Sequence, residues 1–123
     1  MPAPTLSMIE KDVRASGYQL LSSEQLRTNR WLLVARDTAG QRIAILVQLR
    51  ALIGESDVRD LAELVQIRQF DAGILLIYGA SLSAYAQRAL VEVGFGRLRA
   101  CASLPPAHSV DPSGVARFVS QAS

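Results

Sequence analysis

The run Arg42-Ile-Ala-Ile-Leu-Val-Gln-Leu-Arg50 constrains the chain more than any other segment. From Ile43 to Val47 every residue is apolar, without the alternation that leaves one face of a strand in water. Such a strand is covered on both faces, so it belongs in the middle of a sheet with a layer above and a layer below. A second continuous run, Gly73-Ile-Leu-Leu-Ile-Tyr78, follows a segment from Asp57 to Phe70 in which Val58, Leu61, Ala62 and Val65 form one stripe, widened by Leu64 and Ile67. That stripe has helical spacing, and Ser56 is a plausible N-cap for it. Strand, helix and strand with short connections make a right-handed crossover, which predicts that the two apolar strands are parallel neighbours.

The remaining segments fit around this unit. A first helix is expected from Leu6 to Ser16: Ser7 and Glu10 have capping-box spacing, Leu6, Ile9 and Val13 share a face, and Gly17 supplies a left-handed stop. Tyr18 to Leu21 reads as a short strand, and the polar stretch Ser22 to Asn29 as a loop or frayed edge. Trp31 to Arg36 reads as a strand joined to the Arg42 run by the turn Asp37-Thr-Ala-Gly40, which makes an antiparallel hairpin. A helix from about Ser83 to Val93, a strand near Arg97 to Ser103 and a final helix opened by Asp111-Pro112 complete the pattern. The expected fold class is α/β, a mixed central sheet with helices on both faces. With no repeat, low-complexity tract or linker in view, residues 1–123 are read as one domain.

Charge and composition exclude several classes. Half of the 123 residues are hydrophobic and 20% are charged, which argues against disorder. Thirteen basic against 11 acidic residues leave a net charge of only +2, so charge alone does not mark a nucleic-acid surface. All the basic residues but Lys11 are arginine, a side chain suited to bidentate phosphate contacts, although biased codon usage explains the same preference. Cys101 stands alone in an apolar run, and the sole imidazole, His108, follows two prolines. A spectator thiol in a reducing, cytoplasmic setting is the reading. No secretory leader pattern and no apolar run of about 18 residues is present, so no membrane association is expected.

The order of helix, hairpin, apolar strand, helix and apolar strand, with Gln48-x-Arg50 where the central strand ends, resembles the restriction-endonuclease-like (PD-(D/E)XK) nucleases, most closely their methylated-DNA-restricting branch. The resemblance implies an αβββαβ core with extra C-terminal elements. It also implies a site pattern of aspartate, a spacer, then glutamate or glutamine, any residue, and lysine. In such sites oxygen ligands hold a divalent cation that stabilises charge on the scissile phosphate. The second half of that pattern falls on Gln48 and Arg50, and the aspartate position falls on Leu32, with Trp31 or Leu33 offered by a shift of one residue and Asn29 the nearest useful oxygen. Leucine binds no metal, and an arginine whose pKa exceeds about 12 grips phosphate but does not act as a base. The implied reading is a degenerate nuclease site with no catalytic residues and no cofactor, magnesium being needed only if activity is retained.

Other acids are weighed for a relocated site. Glu10 is the capping-box partner of Ser7, Asp37 lies in the hairpin turn, and Glu55, Asp57 and Asp60 surround a helix N-terminus, where the helix dipole favours negative charge without a metal. Arg27, Arg30, Arg36, Arg42, Arg50, Arg59 and Arg68 are the cations a groove would draw on, with Arg30, Arg36, Arg42, Arg50 and Arg59 the nucleic-acid candidates. For Arg30, Arg36 and Arg42 a charged sheet edge that resists aggregation is an equal alternative. Trp31 reads as core or interface in preference to a base-stacking residue. Three functions follow. The first is an inactive nuclease-fold domain that binds DNA or RNA or supports a defence or repair assembly. The second is an interaction module with a protein partner or a homodimer. The third is an active nuclease with relocated ligands.

Overall fold

The computed structural model describes residues 5–49, 52–78, 81–94 and 96–107. The first described helix, α1 (Leu6–Ala15), starts at the expected Leu6, but its N-cap is Thr5, two positions before Ser7: Thr5 Oγ1 accepts from the Met8 N–H at 3.3 Å. This start buries Ile9 and Val13 together, and it leaves Glu10 to accept a hydrogen bond from the Ser23 hydroxyl at 2.5 Å in place of a capping role. Gly17, with φ 98°, reverses the chain as its sequence position predicts.

Three antiparallel strands follow, β1 (Gln19–Arg27), β2 (Arg30–Arg36) and β3 (Arg42–Gln48). The stretch from Ser22 to Arg27, expected as a loop, is strand. Its backbone pairs with β2 from Ser22 opposite Val34 to Arg27 opposite Arg30, with register shifts between Leu20 and Ser22 and between Gln25 and Arg27. As the outermost strand of the sheet, β1 keeps most of its residues in solvent, so no burial pattern marks it in the sequence. Only Thr28 and Asn29 form the turn, and Asn29 takes φ 61°.

The crossover unit forms as predicted. After a two-residue strand β4 (Leu52–Ile53), α2 (Glu55–Ile67) leads to β5 (Ala72–Leu76), which pairs parallel with β3 from Ile43 opposite Ala72 to Val47 opposite Leu76. The N-cap of α2 is Gly54, not Ser56. The Asp57 carboxylate reaches back to accept the Gly54 N–H at 3.1 Å, so the acid at the third helical position does the capping. The helix stops at Ile67, three residues before Phe70, because Gln69 turns to φ 55°. A second short strand, β6 (Ser81–Leu82), pairs parallel with β4; two-residue strands carry no periodicity, and neither was expected. Then α3 (Ala84–Gly94) and β7 (Leu98–Cys101) close the described fold, β7 lying parallel to β5. The final helix expected at Asp111-Pro112 lies outside the described residues.

The five-stranded sheet runs β1-β2-β3-β5-β7, and its two faces are covered by different helices. Ile43, Ile45 and Val47 pack with Leu33 and Ala35 against Ile9 and Val13 of α1. Ala44 and Leu46 pack with Leu32 and Val34 against Val58, Leu61 and Val65 of α2 and Ala86 and Ala89 of α3. Gly73 lets α2 approach closely, since a Cβ there would stand 2.8 Å from Val65 and 2.9 Å from Leu98. Leu46, fully buried at the centre of this face, offers a direct check. Leu46→Asp places a carboxylate with no counter-charge in the core and should cost about 3–5 kcal/mol in urea unfolding.

Candidate active site

The register of β2 and β3 decides which side chains meet where β3 ends. Arg30, the first residue of β2, lies opposite Gln48, the last of β3. Directly opposed residues of an antiparallel pair project to the same face, and alternation from Leu32 and Leu46 puts both on the α2 side. Because the connection from β3 is short, α2 begins at this same end of the sheet and presents its first turns to Arg30. The Arg30 guanidinium donates from Nη2 to Asp60 Oδ2 at 2.7 Å, and Asp57 Oδ1 stands 4.0 Å from the same nitrogen. Arg30 is 9% exposed, and Gln48 and Asp57 are 2% exposed each, whereas the Asp60 side chain is half in solvent.

A guanidinium that leaves water at this cost needs carboxylates close by. Asp57 and Asp60 supply them from the first two turns of α2, and Asp57, in the first turn, also complements the helix dipole. The pairing is incomplete. Arg30 Nε and Gln48 Oε1 are buried without a hydrogen-bond partner.

Of the residues considered for the missing acid, Asp57 and Asp60 reach this end of the sheet, where both face Arg30, and the others do not. Leu32 is buried opposite Leu46 in the core under α2. Trp31 packs half-buried on the α1 side with Leu33 beneath it, and Asn29 is exposed in the β1–β2 turn. Glu10 belongs to α1, across the sheet from α2. Asp37 sits at the far end of β2, where its Oδ1 accepts the Ala39 N–H at 2.9 Å and the Gln41 N–H at 2.8 Å. Glu55 pairs with Arg59 at 2.6 Å. Among the described residues no group of three histidine, cysteine, aspartate or glutamate side chains converges to hold a metal ion. Tested against the divalent cation that the sequence resemblance implies, the described residues do not fit it: Gln48 is the one motif oxygen, and the Arg30 guanidinium lies on the residue opposite.

The candidate arginines divide between the two ends of the sheet. Arg36 and Arg42 oppose one another at the end away from Gln48, and with β2 seven residues long they lie about 20 Å from Arg30. Arg36 is exposed, and Arg42 stacks its guanidinium 4.8 Å from the Phe70 ring centroid. Arg59 bridges Glu55 and, at 3.9 Å, Glu92. Arg27 and Arg68 are exposed; Arg50 lies outside the described residues. Of the four nucleic-acid candidates among the described residues, Arg30 is thus the buried one, and Arg36, Arg42 and Arg59 form no single stripe. Cys101 is half-buried in β7, where burial pushes its thiol up against the opposing pull of Arg99, so it is a weak nucleophile. His108 lies outside the described residues. A groove of about 700 Å³ between α2, α3 and β7, lined by Arg59, Ala62, Val65, Val93, Arg97 and Leu98, does not include Arg30 or Gln48.

No family model and no curated protein matches the sequence. Among solved structures, EndoMS in its apo form superposes with a TM-score of 0.59 over 86% of this chain, at 21% identity. The chain spans 48% of that structure's length. At this identity the likeness concerns the fold, and the sheet order with helices on both faces is that of a restriction-endonuclease-like domain.

Burial separates the members of the Arg30 cluster. Arg30→Ala leaves Asp57 buried beside an emptied space and should cost about 3–5 kcal/mol in chemical denaturation. Asp60→Asn removes a half-exposed partner and should cost about 1 kcal/mol or less. Equal costs for the two would mean that the ion pair is not buried in solution.

Proposed function

We propose that this nuclease-fold domain binds without cutting, engaging nucleic acid directly or within a DNA defence or repair assembly. The observation that carries the reading is the buried Arg30 guanidinium beside Gln48, with Leu32 in the core where the aspartate of a methylated-DNA-restricting nuclease would stand. A catalytic cation of this fold needs two or more charged oxygens facing the phosphate. Here the carboxylates at the same end of the sheet, Asp57 and Asp60, are turned to Arg30 instead. The fold likeness to EndoMS, whose name marks an endonuclease, supports the ancestry of the domain and leaves the question of cleavage to this chemistry.

For nucleic acid, the cations left to meet phosphate are those outside the buried cluster: Arg36, Arg42, Arg59 and, by sequence position at the end of the β3 segment, Arg50. Their partners are DNA or RNA backbones, read through charge more than base identity. A protein-interaction module, as a homodimer or with another chain, is the second reading. It is favoured by Val91, Ile67 and Tyr85, exposed by 81%, 70% and 66% on α2 and α3, and by the net charge of only +2. Among the described residues no helix is long and apolar enough to cross a membrane.

Two assays separate the readings. Highly purified protein should leave plasmid DNA uncut in magnesium or manganese, and nicking that disappears in Gln48→Ala would return the chain to the active nucleases. In gel shifts with single- and double-stranded DNA and RNA over a salt series, Arg50→Ala should weaken binding by about 1–3 kcal/mol and lower the salt slope by about one. Wild-type protein without salt-dependent binding would transfer the assignment to the interaction module.

A further inference from the structure

The end of the sheet away from Gln48 carries a row of arginines that no carboxylate neutralises. Arg36 closes β2 and Arg42 opens β3, and the two lie directly opposite one another. Backbone hydrogen bonds carry the row across the sheet: the Asp71 N–H donates to the Arg42 carbonyl at 2.8 Å, and the Gly73 N–H to the Arg97 carbonyl at 3.0 Å. With neighbouring strands about 5 Å apart, the row from Arg36 to Arg97 spans about 15 Å. Arg68, the C-cap of α2, stands over the same end. All four arginines are exposed, and among the described residues none is in an ion pair. The acids nearby are engaged by the backbone. Asp37 Oδ1 accepts the Ala39 and Gln41 N–H groups of the turn, and Asp71 Oδ2 accepts the Arg42 N–H at 2.8 Å. Glu63, exposed on α2, pairs with none of the four. At the Gln48 end Arg30 pairs with Asp60, and Arg59 with Glu55 and Glu92.

We propose that Arg36, Arg42, Arg68 and Arg97 form the nucleic-acid surface of this domain, a rim that grips a phosphate backbone at the end of the sheet opposite the motif residues. The inference rests on the nucleic-acid reading given under function, and it goes further by placing the contact and naming what is read. Like charges directly opposite in a sheet destabilise it, so the Arg36–Arg42 pair is a strain on the free protein that a bound anion relieves. Arg42 rests on the Phe70 ring, 4.8 Å from its centroid, which steadies the guanidinium without cancelling its charge. Planar guanidiniums suit phosphate oxygens, and the Phe70 ring beneath Arg42 is 3% exposed and closed to a base. The partner is therefore a duplex, held by its backbone without regard to sequence.

The test follows binding of a short fluorescent DNA duplex by anisotropy over a salt series. It compares wild type, alanine at each of the four positions, and Arg27→Ala, an exposed arginine at the other end of the sheet. Each of the four should weaken binding and lower the salt slope by about one, equally on two duplexes of unrelated sequence, while Arg27→Ala changes neither. Arg36→Glu, which can pair with Arg42, should lose binding with no fall in Tm, so that lost binding is not lost folding. Binding that survives in all four alanine variants, or that falls in Arg27→Ala or Arg50→Ala alone, would place the nucleic acid at the Gln48 end and overturn the inference while leaving the nucleic-acid reading intact. Tighter binding of single strands than of the duplex, or of poly-glutamate, would also overturn it. Wild-type protein without salt-dependent binding would remove both.

Discussion

A strand covered on both faces can carry polar side chains only at its ends, and β3 is such a strand. Residues 43–47 are fully buried, alternating between the layer of α1 and the layer of α2 and α3. This alternation leaves Gln48 no choice of face, and the β2–β3 register then sets Arg30 beside it under α2. The guanidinium is taken out of water by a constraint of packing. Its charge is met by two carboxylates that the short β3–α2 connection brings to the same place. The N-terminus of α2 is therefore fixed by three interactions at once: Asp57 caps Gly54, Asp57 and Asp60 face Arg30, and Asp57 in the first turn complements the helix dipole.

The chemistry follows from which positive charge those carboxylates hold. The Arg30 guanidinium has a delocalised charge, and its Nη2 donates to Asp60 while its Nε stays unpaired. Leu32 packs against Leu46 in the core under α2 and offers no oxygen at this end of the sheet. The arginines outside the cluster remain for contacts that need charge and no chemistry.

The parts of this arrangement differ in how legible they are in the sequence. The parallel β3–β5 pair and the helix between them can be read directly, because continuous apolar runs and a helical stripe are local patterns. β1 beyond Leu21 cannot, since an edge strand is held by backbone pairing to β2 and its side chains mostly face solvent. The caps at Thr5 and Gly54 each lie near a residue that would have served as well, and packing of Ile9 and Val58 decides between them. The site is half legible. Gln48 and Leu32 can be placed by motif, but the Arg30–Asp60 pair joins residues 30 apart and depends on the tertiary position of α2. Counting alternation back from Leu32 and forward from Leu46 would have put Arg30 and Gln48 on the same face, and that was the available signal.

The Arg30 guanidinium lies at the Gln48 end of the sheet, paired with Asp60. Crystals of the wild-type protein soaked in manganese and measured at an energy that maximises its anomalous scattering test this directly. The account predicts ordered guanidinium density within hydrogen-bond distance of Asp60 and no anomalous peak among Gln48, Asp57 and Asp60. A manganese peak coordinated by Gln48, with Arg30 swung out to solvent, would contradict it.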